Sequence, residues 1–146
     1  MLEEQLFSIA NTIALLSWLL LAVLPGRRWV TDVMTGKVIP MVFAGLYVVI
    51  VAMMLRGAEG GFSTLGGVAL LFANPWLLLA GWVHYLAFDL LVGTWEARDA
   101  RERGLPHLLL IPCLVLTFML GPAGWLLYMT VRTLPTRNVV SRRPPG

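Results

Sequence analysis

Residues 75–95 read PWLLLAGWVHYLAFDLLVGTW, an apolar run that carries a histidine and an aspartate in its interior. A run of about 20 apolar residues is long enough to cross a bilayer as a helix. Trp76 and Trp95 are 19 residues apart, about 28 Å of helix, which is close to the thickness of the hydrocarbon layer. The run therefore predicts a membrane-spanning helix with His84 and Asp89 inside the bilayer.

Three further apolar runs of similar length occupy most of the remaining chain. They predict spans at about 6–24, 38–55 and 107–131. Only 13% of the 146 residues are charged, against about 25% in an ordinary soluble domain. The expected fold is an all-α integral membrane four-helix bundle, a single membrane domain over residues 1–136 that leaves no room for a separate soluble domain. The polar, proline-rich residues 137–146 are expected to be a disordered tail.

The segment between the second and third spans is too short to cross a bilayer but has helical periodicity. We expect a short interfacial or re-entrant helix at about 62–73, capped at Ser63. Asn74 and Pro75 then suit the N-cap and the first helical position of the third span. The apolar side chains that recur at helical spacing are Phe62, Leu65, Ala69 and Phe72.

The ends of the apolar runs indicate the location of the protein and, more weakly, its orientation. The first five residues, MLEEQ, are acidic, and the run after them is longer than a signal core, so we expect a retained span. Basic residues are nearly balanced between the two sides, with a slight preference for both termini outside. We expect an integral protein of a bacterial cytoplasmic or photosynthetic membrane. Its net charge of +3 indicates contact with anionic lipid headgroups and not with nucleic acid.

Nearly all polar side chains of the third span fall on one side of its helix. At about 100° per residue, Tyr85, Glu96 and Asp89 lie within about 140° of His84. A charged aspartate at this depth costs at least about 2.5–3.5 kcal/mol, so Asp89 is expected to be protonated, paired or facing a wet cavity. Hydrogen bonding between helices is the alternative role for these groups. Two ionisable groups on one arc, with Glu96 at its end, favour a functional site.

The fourth apolar run contains Gly121 and Pro122 near its middle. A proline inside a helix has no N–H, which frees the carbonyl of Phe118 four residues earlier. Inside a bilayer that carbonyl needs a partner from another helix, from water or from a cavity. The pair predicts either a simple packing kink or a pocket beside the third span, and we expect the polar arc to face it.

Metal and cofactor sites have little support in the sequence. His107 opens the fourth run and is expected near Glu96 and Asp99, which leaves a metal site at the membrane interface as a weak alternative. Asp99 and Arg103 have the i, i+4 spacing of a salt bridge on one helix. Nucleophile motifs, phosphate-binding glycine loops and paired cysteines are absent from the sequence. No cofactor is therefore predicted.

Two runs carry a resemblance to a known family: FANPWLLLAGWVHYLAFDLLVGTWEARDA at residues 72–100 and GLPHLLLIPCLVLTFMLGPAGWLLY at residues 104–128. They contain the pattern His-x4-Asp-x6-Glu-x2-Asp, followed by Pro-His and Gly-Pro. With this pattern the chain resembles the abscisic-acid-deficient-type membrane family, which includes plant neoxanthin synthase. The plant member is implicated in converting the epoxy-carotenoid violaxanthin into allenic neoxanthin. The resemblance implies a carotenoid or another long isoprenoid as substrate or ligand.

Such a reaction needs an acid that protonates the epoxide oxygen and a base that removes a proton from the polyene. From depth and geometry we assign Asp89 as the acid, Glu96 as the group that exchanges protons with water, and His84 as the base or orienting group. The competing interpretation is a non-enzymatic carotenoid-binding, assembly or scaffold protein. Membrane lipids are further expected partners, and a homo-oligomer is left open. The residues expected to line the pocket are Trp82, Tyr85, Phe88, Phe118 and Trp125.

Overall fold

A computed structural model describes residues 1–133 of the chain, and this part is built from helices without any strand. A short turn after the first helix leads into a π-helix, whose backbone continues directly into the next α-helix. The tail expected to be disordered lies outside the described residues. The helices are α1 (Leu2–Val23), the π-helix (Trp29–Val38), α2 (Ile39–Met54), α3 (Leu65–Ala73), α4 (Pro75–Arg103), α5 (His107–Leu120) and α6 (Pro122–Val131).

Three helical stretches are long and apolar enough to cross a membrane: Leu2–Val23, Trp29–Met54 and Pro75–Arg103. They fit an integral membrane protein, as the sequence predicts. The second stretch begins earlier than the predicted 38–55, because the π-helix precedes α2. The fourth apolar run is split, since α5 has only 14 residues and ends at Leu120. The prediction of a four-helix bundle is therefore not confirmed in detail.

α4 lies at the centre of the fold and contacts every other helix in the described part of the chain. At its start the side-chain oxygen of Asn74 accepts a hydrogen bond from the backbone N–H of Trp76 at 2.9 Å. Its 29 residues end at Gly104, whose φ of 66° is a left-handed conformation that favours glycine. The predicted cap and the central position of the third span are confirmed, and the helix continues far enough to include Asp99.

α3 covers most of the predicted short helix, but its N-cap lies one residue later than predicted. The N-cap is Thr64, whose hydroxyl accepts a hydrogen bond from the backbone N–H of Gly67 at 3.0 Å. The predicted cap at Ser63 is wrong, because the residue with extended backbone angles directly before the helix is Thr64. Leu71 is the buried side chain of α3, whereas the predicted apolar stripe is exposed and available to lipid: Phe62, Leu65, Ala69 and Phe72.

Polar side chains hold the π-helix against α4 inside apolar surroundings. Thr31 and Thr35 are fully buried. Thr94 of α4 donates a hydrogen bond to the Thr35 hydroxyl at 2.8 Å. The guanidinium of Arg98 donates to the Thr31 carbonyl, and Gly36 leaves the space that this guanidinium occupies. A π-helix is rare and is often found close to functional sites, and nothing in the residue spacing reveals this one.

Candidate functional site

α4 presents one exposed, mostly aromatic line of side chains along its length. His84, Phe88, Leu91 and Trp95 follow the i, i+4, i+7, i+11 spacing of one helical face. All four are exposed, Phe88 by 57% and Trp95 by 39%. We call this line the α4 strip, and it is about 16 Å long. In a bilayer it meets either lipid tails or an apolar ligand.

His84 lies at the edge of a small apolar cavity between α2, α3 and α4. Its ring is 5.3 Å from the ring of Tyr47 and 4.6 Å from the ring of Phe88. The cavity has a volume of about 150 Å³, and Phe72 and Gly81 form part of its wall. An apolar cavity of this size holds a single six-membered ring. His84 is therefore the end of the α4 strip that borders this cavity.

The side chain of Asp89 lies on another side of α4 from His84, against the break between α5 and α6. Its two carboxylate oxygens lie 3.0 Å and 3.1 Å from the position that a Cβ on Gly121 would occupy. Gly121 has a φ of 44°, which other residues rarely adopt, and it leaves this space to the carboxylate. Within residues 1–133 the Oδ2 atom of Asp89 is buried and has no hydrogen-bond partner. Asp89 thus lies at the Gly121–Pro122 break, as expected for the polar arc, whereas His84 does not, because its exposed side chain lies beside α2 and α3.

Tyr85 supplies the partner that the sequence requires for the freed carbonyl of the fourth run. Its hydroxyl donates a hydrogen bond to the Phe118 carbonyl oxygen at 3.1 Å. Phe118 is the residue four positions before Pro122, whose missing N–H leaves that carbonyl without its helical donor. The break is therefore stabilised from α4 by a side chain one turn away from Asp89.

Tyr85→Phe is expected to lower the thermal stability of the protein, because it leaves the Phe118 carbonyl without a donor. The loss of a partner for a buried polar group costs about 1–3 kcal/mol. The measurement is the unfolding midpoint of purified protein in detergent. The matched control is Tyr47→Phe, since the Tyr47 hydroxyl makes no hydrogen bond within the described residues. Equal midpoints for the two variants would contradict the assigned role of Tyr85.

Glu96 is fully enclosed between α4 and α5, with no exposed surface. Thr117 donates a hydrogen bond to its Oε1 atom at 2.9 Å. Its Oε2 atom is buried without a hydrogen-bond partner among residues 1–133. The expectation that Glu96 exchanges protons directly with water is therefore wrong, because neighbouring helices separate it from solvent. Glu96 and Asp89 remain on one line of α4, seven residues apart.

Asp99 is the centre of a charged cluster that joins the ends of α4 and α6. Arg132 donates to its two carboxylate oxygens at 2.8 Å and 3.1 Å, and Tyr128 donates at 2.6 Å. The predicted ion pair with Arg103 is confirmed at 2.8 Å. The Arg132 guanidinium also lies 5.3 Å from the ring of Trp95, so the cluster borders the end of the α4 strip. Tyr128 and Arg132 carry no sequence signal for this role, because they belong to another helix.

The alternative metal site at Glu96, Asp99 and His107 does not form. No group of three histidine, cysteine, aspartate or glutamate side chains within residues 1–133 is placed to hold a metal ion. The carboxylate of Asp99 is already engaged by its arginine and tyrosine partners. His107 is the first residue of α5 and lines a cavity between α1, α4 and α5.

The expected lining residues divide between two sides of α4. Trp82 faces α1, where its indole N–H donates to the side-chain oxygen of Asn11 at 2.8 Å. Phe118 packs against α1 as well, with its ring 5.5 Å from that of Trp18. Trp125 is partly exposed on α6. The two lining residues placed on or beside the candidate site are Phe88, on the α4 strip, and Tyr85, one turn from Asp89.

The family model described as ABA DEFICIENT 4-like matches residues 5–128 of the chain. The chain belongs to this family. The match includes nearly all of α1 to α6, and with them His84, Asp89, Glu96 and Asp99. No curated protein and no solved structure matches the chain. The resemblance inferred from residues 72–128 is therefore confirmed at the level of the family.

Proposed function

We propose that this ABA DEFICIENT 4-like protein binds a carotenoid or another long isoprenoid on the α4 strip and isomerises it with Asp89 as the acid. One observation carries the proposal. Asp89 has a buried, unpartnered carboxylate oxygen at the break between α5 and α6, and the same helix, α4, carries an exposed aromatic face. Ionisable groups inside a membrane are costly and mark functional sites by default.

The shape of the exposed face suits a long apolar ligand. The α4 strip offers Phe88, Leu91 and Trp95 to a chain that lies along the helix. The cavity of about 150 Å³ behind His84 suits a ring at the end of such a chain. At the other end of the strip, Trp95 borders the charged cluster around Asp99, where a polar end group would meet hydrogen-bond donors. An isoprenoid with ring-shaped ends fits both features.

The chemistry is an isomerisation that needs no redox partner. The acid donates a proton to an epoxide oxygen, the carbon–oxygen bond opens, and a base removes a proton from a polyene carbon. Because one proton is gained and one is lost, substrate and product have the same composition. General acid–base groups at such positions contribute about 10²–10⁴ in rate. Asp89 is the acid in this scheme, and Glu96 is a second, enclosed carboxyl one heptad further along α4.

His84 has a separate role, because it does not contact Asp89. The two residues are five positions apart, about 7.5 Å along the helix axis and about 140° around it. A ligand must therefore pass across the face of α4 to meet both groups. We assign to His84 the orientation of the ligand end ring at the mouth of the cavity, with proton removal from the polyene as its second role.

Pigment retention tests the binding half of the proposal. Protein purified from a carotenoid-producing host should be coloured, and the absorption spectrum with chromatography of the extract should identify the pigment. Phe88→Ala is expected to reduce the bound pigment several-fold, because it removes the most exposed aromatic ring of the strip.

The matched control is Phe7→Ala, since Phe7 is a partly exposed phenylalanine of α1 that packs on Trp82, away from the strip. It should retain pigment like the unchanged protein. A colourless preparation, or equal losses in the two variants, would argue against binding at the strip. A coloured protein that converts no pigment would instead be a non-enzymatic carotenoid-binding protein.

A further inference from the structure

Another cavity lies at the opposite end of α4 from His84. It has a volume of about 630 Å³, is open on one side, and is bordered by the end of α1 with the turn after it, the last turns of α4 and the start of α5. Its polar lining consists of Arg27, Arg101 and His107. None of the residues that line this cavity belongs to the α4 strip, so the two features are separate.

The charges that line the cavity are all basic, with no carboxylate among the lining residues. The arginines paired with carboxylates in the described part of the chain are Arg98, Arg103 and Arg132. Arg101 donates one hydrogen bond to the Thr31 hydroxyl at 3.2 Å, which leaves other guanidinium donors free. Arg27 is exposed. Two guanidinium groups without a carboxylate partner therefore adjoin one cavity.

The start of α5 adds further positive potential to the same cavity. His107 is the first residue of α5, and the preceding Pro106 provides no side-chain cap. The first backbone N–H groups of a helix lack intrahelical partners and carry the positive end of the helix dipole. With two arginines beside it, this helix end provides the donors that bind phosphate oxygens.

The remainder of the cavity wall is apolar, with Leu24, Ala100 and Leu110 among its side chains. A free phosphate ion or a nucleotide has no hydrocarbon part that would contact this apolar wall. A molecule with a phosphate at one end and hydrocarbon at the other is complementary to both parts. Basic pockets between membrane helices bind anionic lipid headgroups in this way.

We infer that the cavity between α1, α4 and α5 is a binding site for the phosphate headgroup of an anionic membrane lipid. Arg27, Arg101 and the start of α5 contact the phosphate, and the apolar wall contacts the glycerol and the upper part of an acyl chain. The lipid adds contacts to three helix ends that already pack on one another through Leu21, Ala97 and Leu110. The site does not depend on the proposed isoprenoid chemistry.

Native mass spectrometry of the full chain in neutral detergent tests the inference. The probes are dioleoylphosphatidylglycerol and dioleoylphosphatidylcholine, which have the same acyl chains. We expect phosphatidylglycerol to bind about tenfold more tightly, and Arg27→Gln to remove most of this preference, since a charge-assisted hydrogen bond is lost. Arg101→Gln is the second variant and should have the same effect.

Arg28→Gln is the matched control, because it changes the net charge by the same amount at a neighbouring exposed residue that does not line the cavity. It should keep the preference. Equal losses in Arg27→Gln and Arg28→Gln would show diffuse surface attraction and overturn the site. Displacement of the lipid by inorganic phosphate at millimolar concentration would also overturn it, since the site would then not require the apolar part of the ligand.

Discussion

Asp89→Asn is expected to abolish product formation while folding and pigment binding persist. The substitution keeps the size of the side chain and its hydrogen-bonding capacity but removes the proton that an acid donates. The expected loss in turnover is at least about 100-fold, the lower range of general acid catalysis. The measurement combines chromatography of the pigments formed with the absorption spectrum of the bound pigment and the unfolding midpoint.

Two comparison variants decide what a loss of turnover means. Glu96→Gln keeps a side-chain oxygen that accepts the hydrogen bond from the Thr117 hydroxyl. This variant should therefore fold, and it should slow turnover less than Asp89→Asn does. Asp89→Leu removes all polarity next to Gly121. If Asp89→Leu folds and Asp89→Asn unfolds the protein, the carboxyl of Asp89 only costs stability and the catalytic role is contradicted. If turnover survives both changes at Asp89, the acid is Glu96 or lies outside α4.

Gly124→Ala is expected to destabilise the protein strongly, because α6 packs directly against the backbone of α5 at this residue. A Cβ on Gly124 would overlap the backbone nitrogen and the hydroxyl of Thr117. The backbone of α5 cannot move aside as a flexible side chain does, and overpacking of this kind costs about 1–3 kcal/mol. Movement of Thr117 would also break its hydrogen bond to Glu96. The measurement is the unfolding midpoint in detergent.

The matched control is Gly45→Ala in the middle of α2. An added Cβ at Gly45 meets no other atom within 4 Å. Alanine also has a higher helix propensity than glycine, so this variant should be as stable as the unchanged protein or slightly more so. Similar midpoints for the two glycine variants would mean that the packing of α5 on α6 is looser than the structure indicates.

Much of the candidate site follows from local rules. The break at Gly121–Pro122 and the polar arc that carries Asp89 were each predictable, because the missing proline N–H and helical spacing both act over a single turn. The same rule required a donor for the Phe118 carbonyl. Residue order could not identify Tyr85 as that donor, since the contact joins residues 33 positions apart in the chain.

Other parts of the site lie beyond such rules. Glu96 was expected near water because its depth was measured from the tryptophans, but α5 covers it and Thr117 binds it. Arg132 and Tyr128 surround Asp99 from α6 although no spacing connects them with α4. In each case the partner comes from outside α4. The periodicity of α4 shows which residues share a face, but not which other helix packs on that face.

The sequence by itself determined the elements of this protein: the apolar spans, the cap at Asn74, the break at Gly121 and the polar arc of α4. Each follows from interactions within a few residues or from the thickness of the bilayer. Only the tertiary structure decided that Glu96 is enclosed and that His84 and Asp89 face different neighbours. It also brought Arg27, Arg101 and His107 to one cavity. The reason is that helix packing joins residues far apart in the chain, and their contacts depend on how whole helices fit together.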